Sequence, residues 1–306
     1  MDFERLDALV AEKLPKIEYI KDEPMSRHTS FRIGGAAKRM AFPASVSELY
    51  DILDIADDCK VRTLVIGNGT NLLAADEGIE ALVIDTSREL TKVKLVAGDD
   101  TLIYAEAGAS LAALAVFAEK HGLTGLEFAH GIPGTVGGAV VMNAGAYDGE
   151  MKQVVADAVV CCGNGDENVL SNDELDFSYR HSWLSEHPDV VVSYATFRLQ
   201  KGDPAAIHAK MEELMARRKA SQPLDKPSAG STFKRPTGYF AGPLIEKNGF
   251  KGYSVGGAQV SEKHAGFVIN TGNATASDVL TLIKKIQDTV YENDGVRLET
   301  EVKIIR

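Results

Sequence analysis

GIPGTVGGAVVMNAGAYDG, residues 131–149, carries six glycines and decides how this chain is read. Pro133 stiffens its first turn. Glycine lets the backbone approach a ligand closely and turn several N–H groups toward an anion. No Lys or Arg lies between His121 and Met151, so an anion bound here is held by backbone amides and Asn or Thr side chains. GNGTNLL, residues 67–73, has the same character. It follows the strand-like VRTLVIG (61–67), and no Lys or Arg lies between Thr63 and Ser87. Neither stretch is a familiar nucleotide loop. A P-loop requires GxxxxGK, which does not occur, and Leu72 takes the third glycine position of a GxGxxG fingerprint. Two cation-free glycine loops suit the diphosphate of a resident dinucleotide better than an exchanging triphosphate. Either loop alone would also serve as a set of tight turns.

Outward from these loops, helices and strands intermix. Phe3, Leu6, Val10 and Leu14 share one helical face. A second helix starts at Ser45, with Glu48 placed to complete a capping box and Val46, Leu49, Leu53 and Ala56 as its apolar stripe. ALVIDT (81–86) and TLIYAEAG (101–108) read as strands, and SLAALAVFAEKHG (110–122) as a helix closed by Gly122. VVADAVVCCG and VVVSYATFRLQ are strand-like. Residues 204–221 are helical, with Ile207, Met211, Leu214 and Met215 in register. QPLDKPSAGSTFKRPTG reads as a linker or functional loop. A last helix begins near Thr275, with Asp278 at the capping-box position and Val279, Ile283, Ile286 and Val290 as its stripe. VRLETEVKII closes the chain as a strand. The absence of a strict βαβ rhythm favours an α+β fold, with a boundary near 200–205.

The chain has 306 residues, 44% hydrophobic and 25% charged, enough for two or three domains. Its net charge of -11 argues against a nucleic-acid or membrane-surface binder. There is no apolar run of membrane-spanning length and no signal-peptide core, so a cytoplasmic location is expected. Cys59, Cys161 and Cys162 have neither zinc nor CxxC spacing and read as core thiols. His28 and His208 lack HxxxH partners, and no metal is expected.

Seven stretches occur in a set order: HTSFRIGG (28–35), GNGTNLL, GIPGTVGGAVVMNAGAY, YRHS (179–182), SAGSTFKRP (228–236), GGAQVSEKHAGFVIN (256–270) and LETEV (298–302). Together they resemble the UDP-N-acetylenolpyruvoylglucosamine reductase family, often called MurB, from residue 28 to the C-terminus. Arg180 and Ser231 are too close in sequence for the family's long tyrosine-bearing insertion, so the likeness is to its shorter form. His130 stands where the family often has a smaller residue, and Arg235 where many members have Asn.

The resemblance implies an FAD-binding domain of the vanillyl-alcohol-oxidase (PCMH) type in two subdomains, 1–85 and 86–203, and an α+β substrate-binding domain, 204–306, whose last strand returns Glu301 to the active site. It implies non-covalent FAD, NADPH as hydride donor, and UDP-GlcNAc-enolpyruvate as substrate, in a monomer. The cofactor residues it implies are Gly67, Asn68, Gly69, Thr70, Asn71, Leu72, Gly131, Ile132, Pro133, Gly134, Thr135, Gly137, Gly138, Ala139, Asn143 and Ala144.

Reducing a vinyl ether that bears a carboxylate requires a hydride at the terminal CH2, a cation or acid at the carboxylate, and a proton for the adjacent carbon. The family's pattern assigns the carboxylate clamp to Arg180, the acid to Glu301 and the proton donor to Ser231. Tyr179, Lys234, Arg235, Lys263 and His264 are implied substrate contacts. Read alone, each Lys or Arg is equally a surface charge, and SAGSTFKRP is equally a flexible loop. A serine hydrolase is disfavoured, since Ala229 and Phe233 occupy the glycine positions of GxSxG. An FAD oxidase of alcohols would need a base rather than a carbon-directed proton donor. A non-catalytic flavin protein would have no use for Arg180, Ser231 and Glu301 together.

Overall fold

The computed structural model describes residues 1–162 and 166–306. They form two compact units. Unit 1 comprises Met1–Lys21, Arg39–Asn68 and Ala81–Ala216, and unit 2 comprises Asp22–Lys38, Gly69–Glu80 and Arg217–Arg306.

In unit 1, helix α1 (Phe3–Lys13) is capped by Asp2, whose carboxylate accepts the Arg5 N–H at 2.9 Å. Helix α2 (Val46–Asp58) is capped by Ser45, whose hydroxyl accepts the Glu48 N–H at 3.1 Å. The Glu48 carboxylate reaches one residue further back than the expected box, to the Ala44 N–H at 2.8 Å. The two helices bury Leu6, Val10, Leu49, Ile52 and Leu53 with Leu82, Ile84, Cys59 and Cys161. Burial raises the thiol pKa of both cysteines, Cys161 to about 12, so both are inert at neutral pH. Thr63–Ile66 runs parallel to Leu82–Asp85, which delivers the chain to the first glycine loop.

A five-stranded antiparallel sheet orders Glu167–Ser171, Val155–Cys161, Val191–Arg198, Asp99–Glu106 and Val93–Val96. Helix α3 (Leu111–Lys120), capped by Ser110, ends as expected, with Gly122 at a φ of 65°. Residues 131–149 are more than turns, because they contain helix α4 (Val136–Met142). Gly137 is required because the helix lies against a strand end: a Cβ there would sit 3.0 Å from the Ala107 Cβ. Val136, Ala139 and Val140 are buried with Ile103, Ala105 and Phe197. Helix α5 (Pro204–Ser221) adds Ile207, Met211 and Leu214 to that core, while Met215 is only half-buried.

Unit 2 is built on a four-stranded antiparallel sheet ordered Ser228–Ser231, Phe267–Asn270, Ala258–Val260 and Ser254–Val255. Helices α6 (Ala241–Lys247) and α7 (Ala276–Asp294) pack with it. Thr275 and Asp278 close the expected capping box of α7, and Val279, Leu282, Ile283, Ile286 and Val290 are buried. VRLETEVKII is mostly irregular. Only Lys303–Ile305 is a regular strand, and it pairs in parallel with Leu72–Ala74.

This partition differs from cuts at 85 and 203. Phe31, Ile33 and Leu73 are buried among Val260, Val268 and Leu298, so hydrophobic burial places two early segments with the C-terminal sheet. Asn270 fixes one of them. Its Nδ2 donates to the Phe31 carbonyl at 3.1 Å, and its Oδ1 accepts from Gly272 (2.8 Å) and Ala274 (3.0 Å). Antiparallel sheets with interspersed helices make the chain α+β. No helix of the described residues is long and apolar enough to cross a membrane.

Candidate active site

Within unit 1 the two glycine stretches meet. The Asn68 Nδ2 donates to the Pro133 carbonyl at 2.9 Å, and a Cβ on Gly67 would lie 2.1 Å from the Thr135 Oγ1. Only glycine fits at 67. Thr135 stands in extended conformation at the N-terminus of α4 and is buried. The surface presented by Gly67, Asn68, Pro133, Gly134 and Gly138 is therefore backbone and amide, without a cationic side chain. A cation-free surface of backbone and amide groups suits the diphosphate of a dinucleotide such as FAD, although the N–H groups of Val136 and Gly137 in the first turn of α4 are already taken by the Ala109 and Ala107 carbonyls, at 2.9 and 2.8 Å.

Asn143 does something different. It ends α4 in the left-handed region, at φ 42° and ψ 56°, and is fully buried. Its Nδ2 donates to the Ser178 carbonyl at 2.9 Å and to Glu150 at 3.1 Å, while its Oδ1 accepts the Lys152 N–H at 2.9 Å. Its polar atoms are turned to protein.

Ser178 and His181 exchange both backbone hydrogen bonds at 3.1 Å, which leaves Tyr179 and Arg180 as the tip of a two-residue turn. Arg180 has a φ of 56°, a conformation that costs a residue with a Cβ about 1 kcal/mol. Its guanidinium donates to the Gly145 carbonyl at 3.2 Å and lies 5.3 Å from the centre of the Tyr179 ring. Ser182 and Ser185 both donate to the Val141 carbonyl, at 2.7 and 2.8 Å. The turn is thus tied to the last turn of α4 and the loop after it.

In unit 2, Ser231 ends the strand Ser228–Ser231 opposite Phe267. The pairing slips between Ser228 and Ser231, and Gly230 has a φ of 73°. This is a bulge, which re-aims the side chain that follows it. The strand's start is held by Ser30, whose hydroxyl donates to the Ser228 carbonyl at 2.6 Å. Glu301 is brought beside the serine through the backbone. Its N–H donates to the Thr232 carbonyl at 2.9 Å, Phe233 bridges Thr300, and Lys234 N–H donates to the Glu299 carbonyl at 2.9 Å. The Asn71 Nδ2 donates to the Glu301 carbonyl at 3.1 Å. Asn71 therefore supports the acid's backbone, a contact that its place in GNGTNLL does not disclose.

The expected substrate contacts of unit 2 lie apart from one another in role. Lys234 faces Glu299 at 3.5 Å. Arg235 stacks on Phe240, 3.9 Å from the ring centre. The Lys263 Nζ donates to the Lys219 carbonyl. His264 accepts the Gly266 N–H on Nδ1 at 3.1 Å, and burial lowers its pKa, so the ring is neutral near pH 7. Ser30, Thr232 and Asn270 escaped sequence reasoning. All three lie inside the seven ordered stretches, but an isolated polar residue carries no sign of its partner.

Over 305 residues, 97% of this chain and 96% of the relative, the sequence is 52% identical to the UDP-N-acetylenolpyruvoylglucosamine reductase of Agathobacter rectalis. The chain belongs to the UDP-N-acetylenolpyruvoylglucosamine reductase family. The family's C-terminal domain matches residues 222–305, and an FAD binding domain matches residues 37–167. The crystal structure of the reductase from Thermus caldophilus, 34% identical, superposes with a TM-score of 0.79 over 95% of this chain and 99% of its own. A glucooligosaccharide oxidase from Acremonium strictum shares the fold at 13% identity, with a TM-score of 0.50 over 97% of this chain and 59% of its own. The α+β fold is thus that of an FAD-binding reductase, and the chain's 306 residues agree with the shorter form.

Proposed function

We propose that this chain is a UDP-N-acetylmuramate dehydrogenase. It reduces the enolpyruvyl ether of UDP-GlcNAc-enolpyruvate with electrons from NADPH and yields UDP-N-acetylmuramate, a peptidoglycan precursor. The observation that carries this is 52% identity over nearly the whole chain to a reductase of that name. Residues 1–203 are assigned mainly to the flavin and residues 204–306 to the sugar nucleotide. The enzyme is expected to work as a cytoplasmic monomer.

When bound, FAD supplies a hydride from its N5 to the terminal CH2 of the enolpyruvyl group. Gly67, Asn68 and the 131–139 stretch would hold its diphosphate. Arg180 is assigned to the substrate carboxylate, where a planar guanidinium forms two parallel hydrogen bonds and offsets the charge that spreads from the adjacent carbon. Glu301 is assigned as the acid at the same carboxylate. Ser231 is assigned to protonate that carbon. A hydroxyl is a weak acid, but an enolate-like carbon is a strong base, so the transfer is downhill once the two are aligned. Tyr179, Lys234, Arg235, Lys263 and His264 are assigned to the sugar nucleotide, whose two phosphates require local cations on an acidic chain.

Anaerobic NADPH should bleach the flavin absorbance of the purified enzyme, and the enolpyruvyl sugar nucleotide should restore it. In Ser231→Ala the bleaching rate should be nearly unchanged and the recovery slowed by about 100-fold or more. Equal loss in both half-reactions would remove Ser231 from the proton-donor role. Bleaching by a simple alcohol would indicate an oxidase instead.

A further inference from the structure

We propose that Asn143 is a positioning residue for Arg180, so that the glycine-rich stretch 131–149 sets the arginine that grips the substrate carboxylate as well as holding flavin. The inference rests on the assignment of Arg180 made above, and it concerns unit 1 alone. Three observations carry it. Asn143 is fully buried, with both amide protons committed to Ser178 and Glu150 and its oxygen committed to Lys152. The Ser178 carbonyl it holds is one of the two that close the turn carrying Tyr179 and Arg180. Arg180 itself is held in a left-handed conformation and donates to the Gly145 carbonyl, two residues beyond Asn143. Lys152, whose N–H binds Asn143, also donates from its Nζ to the Phe177 carbonyl at 3.1 Å, just before the turn.

A strained backbone persists only where its surroundings over-determine it. Here the surroundings include Asn143, Lys152 and the Gly145 carbonyl. Freed from Asn143, the 178–181 turn relaxes, and the guanidinium loses its fixed approach to a planar carboxylate. A displacement of about 1 Å at such a contact costs about 100-fold in rate.

The test uses Asn143→Gly in the full chain. Glycine keeps the left-handed backbone of a helix end and removes only the amide. We expect FAD to bind with unchanged stoichiometry, NADPH reduction to stay within about 3-fold, and reoxidation by the enolpyruvyl sugar nucleotide to slow by about 10- to 100-fold. The double variant with Arg180→Ala should reoxidise no more slowly than Arg180→Ala alone, because both changes remove one interaction. Multiplicative effects, or equal loss in both half-reactions, overturn the proposal. An unimpaired Arg180→Ala would instead overturn the reading of Arg180 on which it rests. If Asn143→Gly does not fold, Lys152→Met removes the hold on Phe177 from an exposed position. It should slow reoxidation by about 3-fold and be masked by Arg180→Ala in the same way, and an additive effect counts against the proposal.

Discussion

Ser231 sits one residue past a kink. Gly230 adopts a φ of 73° where the strand slips against Phe267–Asn270, and the two residues act as a unit: glycine bends the chain and serine receives the new direction. A Cβ at 230 would meet nothing within 4 Å, so Gly230→Ala changes conformation without a clash. It should cost about 1 kcal/mol of stability, read as a shift in urea midpoint. It should also slow flavin reoxidation more than reduction, and a proportional loss in both would mean the bulge does not aim the hydroxyl. At this scale the sequence was legible in kind and opaque in partner. SAGSTFKRP has the composition of a loop, and only its likeness to a family singled out Ser231. The adjacency of Thr232 and Glu301 arises from a non-local backbone bond that no local pattern encodes.

Elements with a clear 3.6-residue period were readable. The stripe of α7 and its Thr275–Asp278 cap follow the sequence directly. Helix α4 was hidden, because the glycines of its first turn disfavour a helix by up to about 1 kcal/mol each, and the close packing of Gly137 on Ala107 is a tertiary contact that no local pattern shows. The strand Ser228–Ser231 was hidden for a similar reason, since its place in the sheet depends on Phe267 and Ser30 rather than on β-branched residues. Asn270 shows how much a single buried amide can join. Asn270→Ala would leave the Phe31 carbonyl and the N–H groups of Gly272 and Ala274 without this partner inside unit 2. The expected cost is about 3 kcal/mol, measurable by equilibrium denaturation. A loss under about 0.5 kcal/mol would mean that solvent replaces the amide.

At the scale of the whole molecule, the pairing of Lys303–Ile305 with Leu72–Ala74 constrains the order of folding. Unit 1 departs from its own sequence only for two brief excursions, at 22–38 and 69–80, whereas those excursions must wait for residues 217–306 before unit 2 has a core. Closing so long a loop carries an entropic cost before any contact repays it, and non-local pairing is slow. During refolding, the amides of Lys303 and Ala75, which bond to Asn71 and Ile305, should therefore gain protection from pulse-labelled hydrogen exchange after those of the five-stranded sheet. Simultaneous protection would indicate that the early segments dock before the sheet is complete. Until that last zipper closes, residues 69–73 of GNGTNLL lie in unfinished structure, so the second half of that loop should be among the last parts of the chain to mature.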